Sequence, residues 1–449
     1  MNLVRSVRHL WRHPLFRKLI AVRLATQTSD GMLQVGMAAY VLLTPNTAPD
    51  AWAVAAVLAI TLLPYSVVGP FVSLTLDRFD RRNVAVSTDA VRAVIALGLG
   101  ALVLNPGLRD HWTYGLFFAL ALVAMSLNRY LLAGLQAAVP HTVDSDEYLT
   151  ASSIMPVIGP VGVLIGGGLA FAIRLGLSGQ LASYQADALI FLVAAIGFGI
   201  TVLLSLRIRV GELGPDLTSA EARSTKAVDV ARGLWHALGH LVERKPAGLS
   251  IIGIGLQKIL VGMVQVATIL LFRNYFHPVA DVAAATADLA VWAGFTGAGY
   301  LIAAPLTPLI AHRIGVRRTI VAALLAGAPF ILIVPLAQFR PWSLMLSGLL
   351  IGMCAQACKI CVDNVVQAHV ADDFKGRVFT IYDMIFNAAM PLAAVIVAVL
   401  FPLDAHSYLG FVAIAVAFAL IGLWFGLISR RISARTFQAG AENAPAEVE

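Results

Sequence analysis

The feature that most constrains this chain is a series of twelve apolar runs, each long enough to cross a lipid bilayer. They lie at 16–43, 51–76, 84–104, 113–137, 149–175, 187–208, 249–272, 286–311, 317–338, 342–367, 377–403 and 407–429. A hydrocarbon core about 30 Å thick takes roughly 20 residues of helix. Backbone in lipid must also satisfy its own polar groups, which leaves helices or closed barrels. Continuous runs of this length, rather than short alternating ones, select helices. Composition agrees: 59% of the 449 residues are hydrophobic and 13% charged, with a mean hydropathy of +0.83. Soluble domains carry about 25% charged residues. The fold class expected is an all-α membrane protein with twelve transmembrane helices.

Most connections between the runs are short, and the polar stretch after the sixth run is the exception. It divides the chain into a six-helix half (1–209), a linker (210–248), a second six-helix half (249–431) and a polar tail (432–449) expected to be disordered. Basic residues fix the orientation. With the N-terminus in the cytoplasm, 23 of the 32 Lys and Arg fall in cytoplasmic segments and four in outer loops. Both termini are therefore expected in the cytoplasm of a cell whose inner (plasma) membrane holds the chain. The net charge of +7 is then topology and attraction to anionic lipid, not a nucleic-acid footprint. The basic N-terminus precedes too long an apolar run to be a cleavable signal. In the linker, the apolar spacing of AVDVARGLWHALGHLVERK predicts an amphipathic helix on the inner membrane surface. Its His236, His240 and Glu243 have a metal-ligand spacing, although two interfacial histidines are the plainer reading.

The halves resemble each other. LDRFDRRNV (76–84) follows span two, and AHRIGVRRT (311–319) follows span eight, so that Arg82 aligns with Arg317. QAAVPHTV (136–143) pairs with QAHVADDF (367–374) at a similar offset. Parallel repeats of this kind are a known transporter plan. SLTLDRFDRR resembles the signature between spans two and three of the major facilitator superfamily, with Asp77, Arg78, Arg81 and Arg82 on its charged positions. Ser73, Thr75 and Asp80 depart from it. The resemblance extends over the whole chain and implies two pseudo-symmetric six-helix bundles. It also implies a conformational latch of Asp77, Arg78, Arg81 and Arg82 reaching span eleven, where Arg377 stands. PVIGPVGVLIGGG in span five resembles the Gly-Pro signature of the superfamily's antiporters through Gly159, Pro160 and Gly162. With Gly166 these residues are expected to serve helix packing, in the superfamily against span eight, where Gly294, Gly297 and Ala298 are small. The stretches after span four and before span eleven resemble drug and siderophore exporters.

Charged residues in lipid cost about 2.5–3.5 kcal/mol each, so those inside the runs must be compensated. Span one carries Arg23, Gln27, Asp30 and Gln34 on one helical face. Span four carries Asn128 and Arg129, span seven Gln257, Lys258 and Gln265, and span ten Gln356, Lys359 and Asp363. In the superfamily these four spans line a central cavity, which makes all of them cavity candidates. Asp30, read as a lone carboxylate at mid-depth, is the first candidate for a proton carrier, and Asp363, paired with Lys359, the second. Asp89 and Arg92 in span three read as an internal ion pair. Arg129 either braces the Asp77 motif or works in the cavity. Cys354, Cys358 and Cys361 share a helical face and read as packing residues rather than a soft-metal site.

The cavity candidates sum to +2, which leans toward an anionic or acidic substrate. The resemblance implies proton-coupled export of a small amphipathic organic compound, possible in a monomer and without a cofactor. Uptake by symport is the alternative, with a sensor or lipid scramblase behind it. An enzyme is not expected: no phosphate-binding Gly-x-x-x-x-Gly-Lys loop or His-Glu-x-x-His motif occurs.

Overall fold

The computed structural model describes residues 10–42, 51–67, 79–105, 111–144, 148–177, 180–214, 227–433 and 437. Among them there is no strand. The helices are α1 (Pro14–Leu42), α2 (Ala51–Val67), α3 (Arg81–Leu104), α4 (His111–Ala137), α5 (Tyr148–Gly176) and α6 (Ser183–Leu206). A linker helix, α7 (Ala227–Glu243), precedes α8 (Lys245–Leu270), α9 (Val282–Ile314), α10 (Val316–Leu336), α11 (Pro341–His369), α12 (Asp372–Leu400) and α13 (Tyr408–Arg430). Ten of these helices are long and apolar enough to cross a membrane, α3 to α6 and α8 to α13. The other two expected spans are α1, which is long but carries its polar stripe, and α2, which is described over 17 residues. Many large apolar side chains face outward, Leu164, Leu203 and Leu301 among them, each more than 60% exposed. Facing lipid, such side chains need no cover from protein.

The chain forms two compact units, Met1–Thr44 with Leu63–Val230, and Pro45–Leu62 with Ala231–Glu449. In the first, α3 packs along α6, and α1 packs along α5 and α6. In the second, the same pairs recur one half later: α10 along α13, and α8 along α12 and α13. The repeated arginines explain part of the likeness. Arg82 donates from Nε to the Ile208 carbonyl, 3.3 Å away and two residues beyond α6. Arg317 donates to the carbonyls of Ser429 and Ile432, the latter two residues beyond α13. A helix end leaves carbonyls without intrahelical partners, and in each unit the aligned arginine supplies the donor.

Small residues set the closest approaches. A Cβ on Gly166 would lie 1.8 Å from the Thr28 carbonyl oxygen of α1, and one on Gly162 2.8 Å from Cβ of Gln27. In the second unit, a Cβ on Gly299 of α9 would lie 2.1 Å from the Leu349 carbonyl oxygen of α11. The partner of the span-five glycines is thus α1 of the same unit. Gly315 alone joins α9 to α10, at φ +87°, a conformation that a side chain would strain.

The linker helix docks on α12. Ala237 and Leu241 of α7 are buried in the core of the second unit. The ring of His240 stacks on Phe374, 4.4 Å between centroids, and its Nε2 lies 3.4 Å from the Ala371 amide. Burial and Arg244 hold His240 below its ordinary pKa, with Glu243 acting the other way. His236 is exposed, and among the described residues no three His, Cys, Asp or Glu side chains converge as metal ligands.

Candidate functional site

The polar stripes gather into two clusters, one in each unit. The first is built on α1, α3, α4 and α6. Asp30 is fully buried and forms an ion pair through Oδ1 with Nη2 of Arg92. Its other oxygen accepts from Gln34, at 2.5 Å, and from Asn128, at 2.9 Å. Arg92 also pairs with Asp89, 3.2 Å away, and its guanidinium lies 4.2 Å over the Phe198 ring. Asp89 accepts from Thr26 at 3.0 Å and from Thr201 at 2.7 Å. Gln27 donates to Asn128, 3.1 Å away. The helical repeat puts Thr26 one turn before Asp30 and Asp89 one turn before Arg92, so two adjacent faces interlock.

This corrects the reading of Asp30 as a lone carboxylate. Burying an ion is costly unless a partner and hydrogen bonds replace water, and Arg92 is that partner. The Asp89–Arg92 pair is internal to α3 as read, but it also reaches across to α1. The triad holds two carboxylates and one guanidinium, a formal charge of −1, and one proton brings it to neutrality. Arg23 is buried and lies beside Gln27 next to Gly159 of α5. Arg129 follows Asn128 on α4 and is half-buried, and Pro160 is exposed.

The second cluster is built on α8, α11 and α12. Lys359 donates to both oxygens of Asp363, at 3.1 and 2.9 Å, and lies 3.5 Å from the Tyr382 hydroxyl. Both members of this pair are about one-third exposed, unlike the sealed triad of the first unit. Lys258 of α8 lies 4.7 Å over the Phe386 ring, and Lys359 lies 5.3 Å from the same ring. Two ammonium groups thus share one aromatic ring. Among the described residues no carboxylate lies within ion-pair distance of Lys258. Gln257 is buried and its amide is 3.4 Å from the Cys354 carbonyl. Gln265 and Gln356 are half-buried on α8 and α11. Cys358 and Cys361 belong to the apolar core of the unit, and Cys354 is buried nearby on α11.

Of the expected latch, Asp77 and Arg78 lie outside the described residues. Arg81 is buried and donates to the carbonyls of Ala137 and Leu213, at 2.9 and 3.0 Å. With Arg82 it ties the ends of α4 and α6 to the start of α3. Asp80, a departure from the signature, caps α3 by accepting from the Asn83 amide and also accepts from the Gly211 amide at 2.6 Å. Arg377 is exposed, 5.9 Å over Phe374, and lies against Gly233 of α7. Sequence reasoning missed Arg92, Tyr382, Phe386 and Asp80 as members of these sites. Only the i, i+3 spacing of Asp89 and Arg92 gave a signal.

Comparison with known proteins places this architecture. The family model described as "MFS/sugar transport protein" matches residues 135–400. MFS-type transporters of Mycobacterium tuberculosis and Mycobacterium bovis, both uncharacterized, are each 32% identical over 421 residues, covering 93% of this chain and 91% of theirs. Among solved structures, the nucleoside transporter NupG has a TM-score of 0.65 at 12% identity, over 93% of this chain and 99% of that one. The peptide transporter POT in complex with alafosfalin also has a TM-score of 0.65, at 15% identity, over 93% and 94%. With a full-length relative at this identity and the shared fold, the chain belongs to the major facilitator superfamily, as a multi-pass membrane transporter of small molecules.

Proposed function

We propose that the chain is a proton-coupled exporter of a small anionic, amphipathic organic compound, working by alternating access as a monomer in the inner (plasma) membrane. Both termini lie in the cytoplasm, and residues 1–209 and 249–431 are the two moving halves. The observation that carries the substrate class is Lys258, half-buried, with no carboxylate among the described residues within ion-pair distance, and beside Lys359 at Phe386. A cation left unpaired in such a place is costly, and an anion with an apolar or aromatic body offsets that cost. Asp363 keeps Lys359 neutralised between cycles.

Proton coupling falls to the Asp30–Arg92–Asp89 triad. With its charge of −1 it gains or loses one proton without leaving a net cation behind, and a proton crossing 100 mV is worth about 2.3 kcal/mol. Asp30 is the carrier, because its bonds reach two other helices, α3 and α4. Export rests on the Gly-Pro stretch of α5 and the likeness to drug and siderophore exporters. The alternative is uptake by symport, which the sugar-transport wording of the family model favours.

Everted vesicles with an imposed pH gradient test each part. Proton-driven accumulation of an acidic aromatic compound means export, and accumulation only in right-side-out vesicles means uptake. Lys258→Gln is expected to weaken acidic substrates at least about tenfold, about 1.4 kcal/mol, and neutral analogues much less. Equal loss for all charge types would remove the anion from the reading. Asp30→Asn leaves Arg92 paired with Asp89, so the protein should persist in the membrane while proton-driven flux is lost. Normal flux in that variant would transfer the role elsewhere.

A further inference from the structure

The second unit holds a cleft that neither polar cluster uses. Its volume is about 760 Å³, and it lies where α7, α8, α12 and α13 converge, within the range of small-molecule sites. Its walls are apolar, with Leu249 from α8, Ile381 and Ile385 from α12 and Ile428 from α13. Two cations stand among them. Lys245 is the first residue of α8, Arg431 follows α13 directly, and both are exposed. Among the described residues, no acidic side chain lines the cleft.

The outer face of α7 continues the cleft. Trp235, Leu238 and Val242 are spaced three and four residues apart and are 74%, 43% and 76% exposed. They form an apolar stripe on an amphipathic helix whose opposite side is docked on the protein. Ile252, on the cleft wall, is 51% exposed, so the cleft opens to the surface of the unit. In a membrane protein, such a stripe with a tryptophan belongs at the lipid interface.

We propose that this cleft binds an anionic glycerophospholipid of the adjoining leaflet, its phosphate between Lys245 and Arg431 and an acyl chain along the isoleucine wall. Charge complementarity selects the class: two basic side chains on the wall of an apolar cleft fit an anionic head on an apolar tail and discriminate against a zwitterionic one. The lipid thereby fastens α7 to α8 and α13, a role separate from substrate or proton.

The test uses the full chain in a zwitterionic detergent, titrated with phosphatidylglycerol or phosphatidylcholine bearing brominated acyl chains, with tryptophan emission as the readout. Phosphatidylglycerol is expected to quench at least about tenfold more tightly, and Trp235→Phe should remove the quenched component. The double variant Lys245→Gln with Arg431→Gln should erase the difference between the lipids and leave the weaker binding. Both side chains are exposed, and an unchanged denaturation midpoint of the double variant shows that its lipid binding is read on a folded protein. The native protein gives a check without mutation: at about 1 M salt, where screening acts within roughly 3 Å, the preference should shrink. Equal quenching by both lipids, or a preference unmoved by salt or by the double variant, overturns the proposal. Tighter binding of oleate than of phosphatidylglycerol would assign the cleft to a single-chain acid and overturn it as well. Transport enters none of these readouts, so the proposal stands or falls apart from the transport reading.

Discussion

Arg92 decides the behaviour of the first cluster. It is bonded to both Asp30 and Asp89, and none of the three side chains is more than 1% exposed. Removing one partner of a buried ion pair costs more than removing all of them, because the remaining charge stays out of water. Arg92→Gln should therefore destabilise the chain by about 3–5 kcal/mol, seen as a fall in the denaturation midpoint in detergent. The triple change Arg92→Gln, Asp30→Asn and Asp89→Asn, which leaves no charge, should recover most of that loss. An Arg92→Gln protein as stable as the native one would show that the triad is not a buried ion cluster.

At the scale of elements, α1 and α5 are held together by the absence of side chains. Gly166 and Gly168 differ by two positions on α5, but a Cβ at 166 meets the Thr28 carbonyl at 1.8 Å, and a Cβ at 168 meets nothing within 4 Å. Gly166→Ala must push the helices apart, at a cost of about 1–3 kcal/mol. Gly168→Ala should be neutral or slightly stabilising, since alanine is the better helix former. Thermal midpoints of the two variants measure the difference directly, and equal midpoints would contradict the packing of α5 on α1.

At the scale of the molecule, the linker helix is fastened to the second unit by a titratable side chain. His240 titrates below its ordinary value of 6.5 when α7 is docked, through burial and Arg244. The undocked helix thus binds the proton more readily than the docked one. The contribution of neutral His240 to docking is present above pH 6.5 and is lost as pH falls below that value. Hydrogen exchange of the α7 amides, corrected for intrinsic rates, should show less protection at about pH 5.5 than at about pH 7.5. His240→Gln should remove that difference. Protection independent of pH in the native protein would mean that the His240–Phe374 stack does not hold the helix.

The spans were legible because lipid imposes a length and an apolar composition on every helix that crosses it, and those are local properties of the chain. The boundaries of α8 and α13 fall within a few residues of the apolar runs for that reason. The duplicated arginines were legible too, since Arg82 and Arg317 repeat in register, and so was the i, i+4 pair of Lys359 and Asp363, which a single helix determines. What the sequence did not contain was which stripe faces which. Asp30 looked solitary because its partner is 62 residues away on another helix. Lys258 and Lys359 came to one ring only when α12 packed beside α8 and brought Phe386 with it. The span-five glycines met α1, since a glycine specifies close approach but not the helix that approaches. Helical periodicity thus determined faces within each element. Pairings between elements came from packing, which joins residues far apart in the chain, and only the tertiary structure decided them.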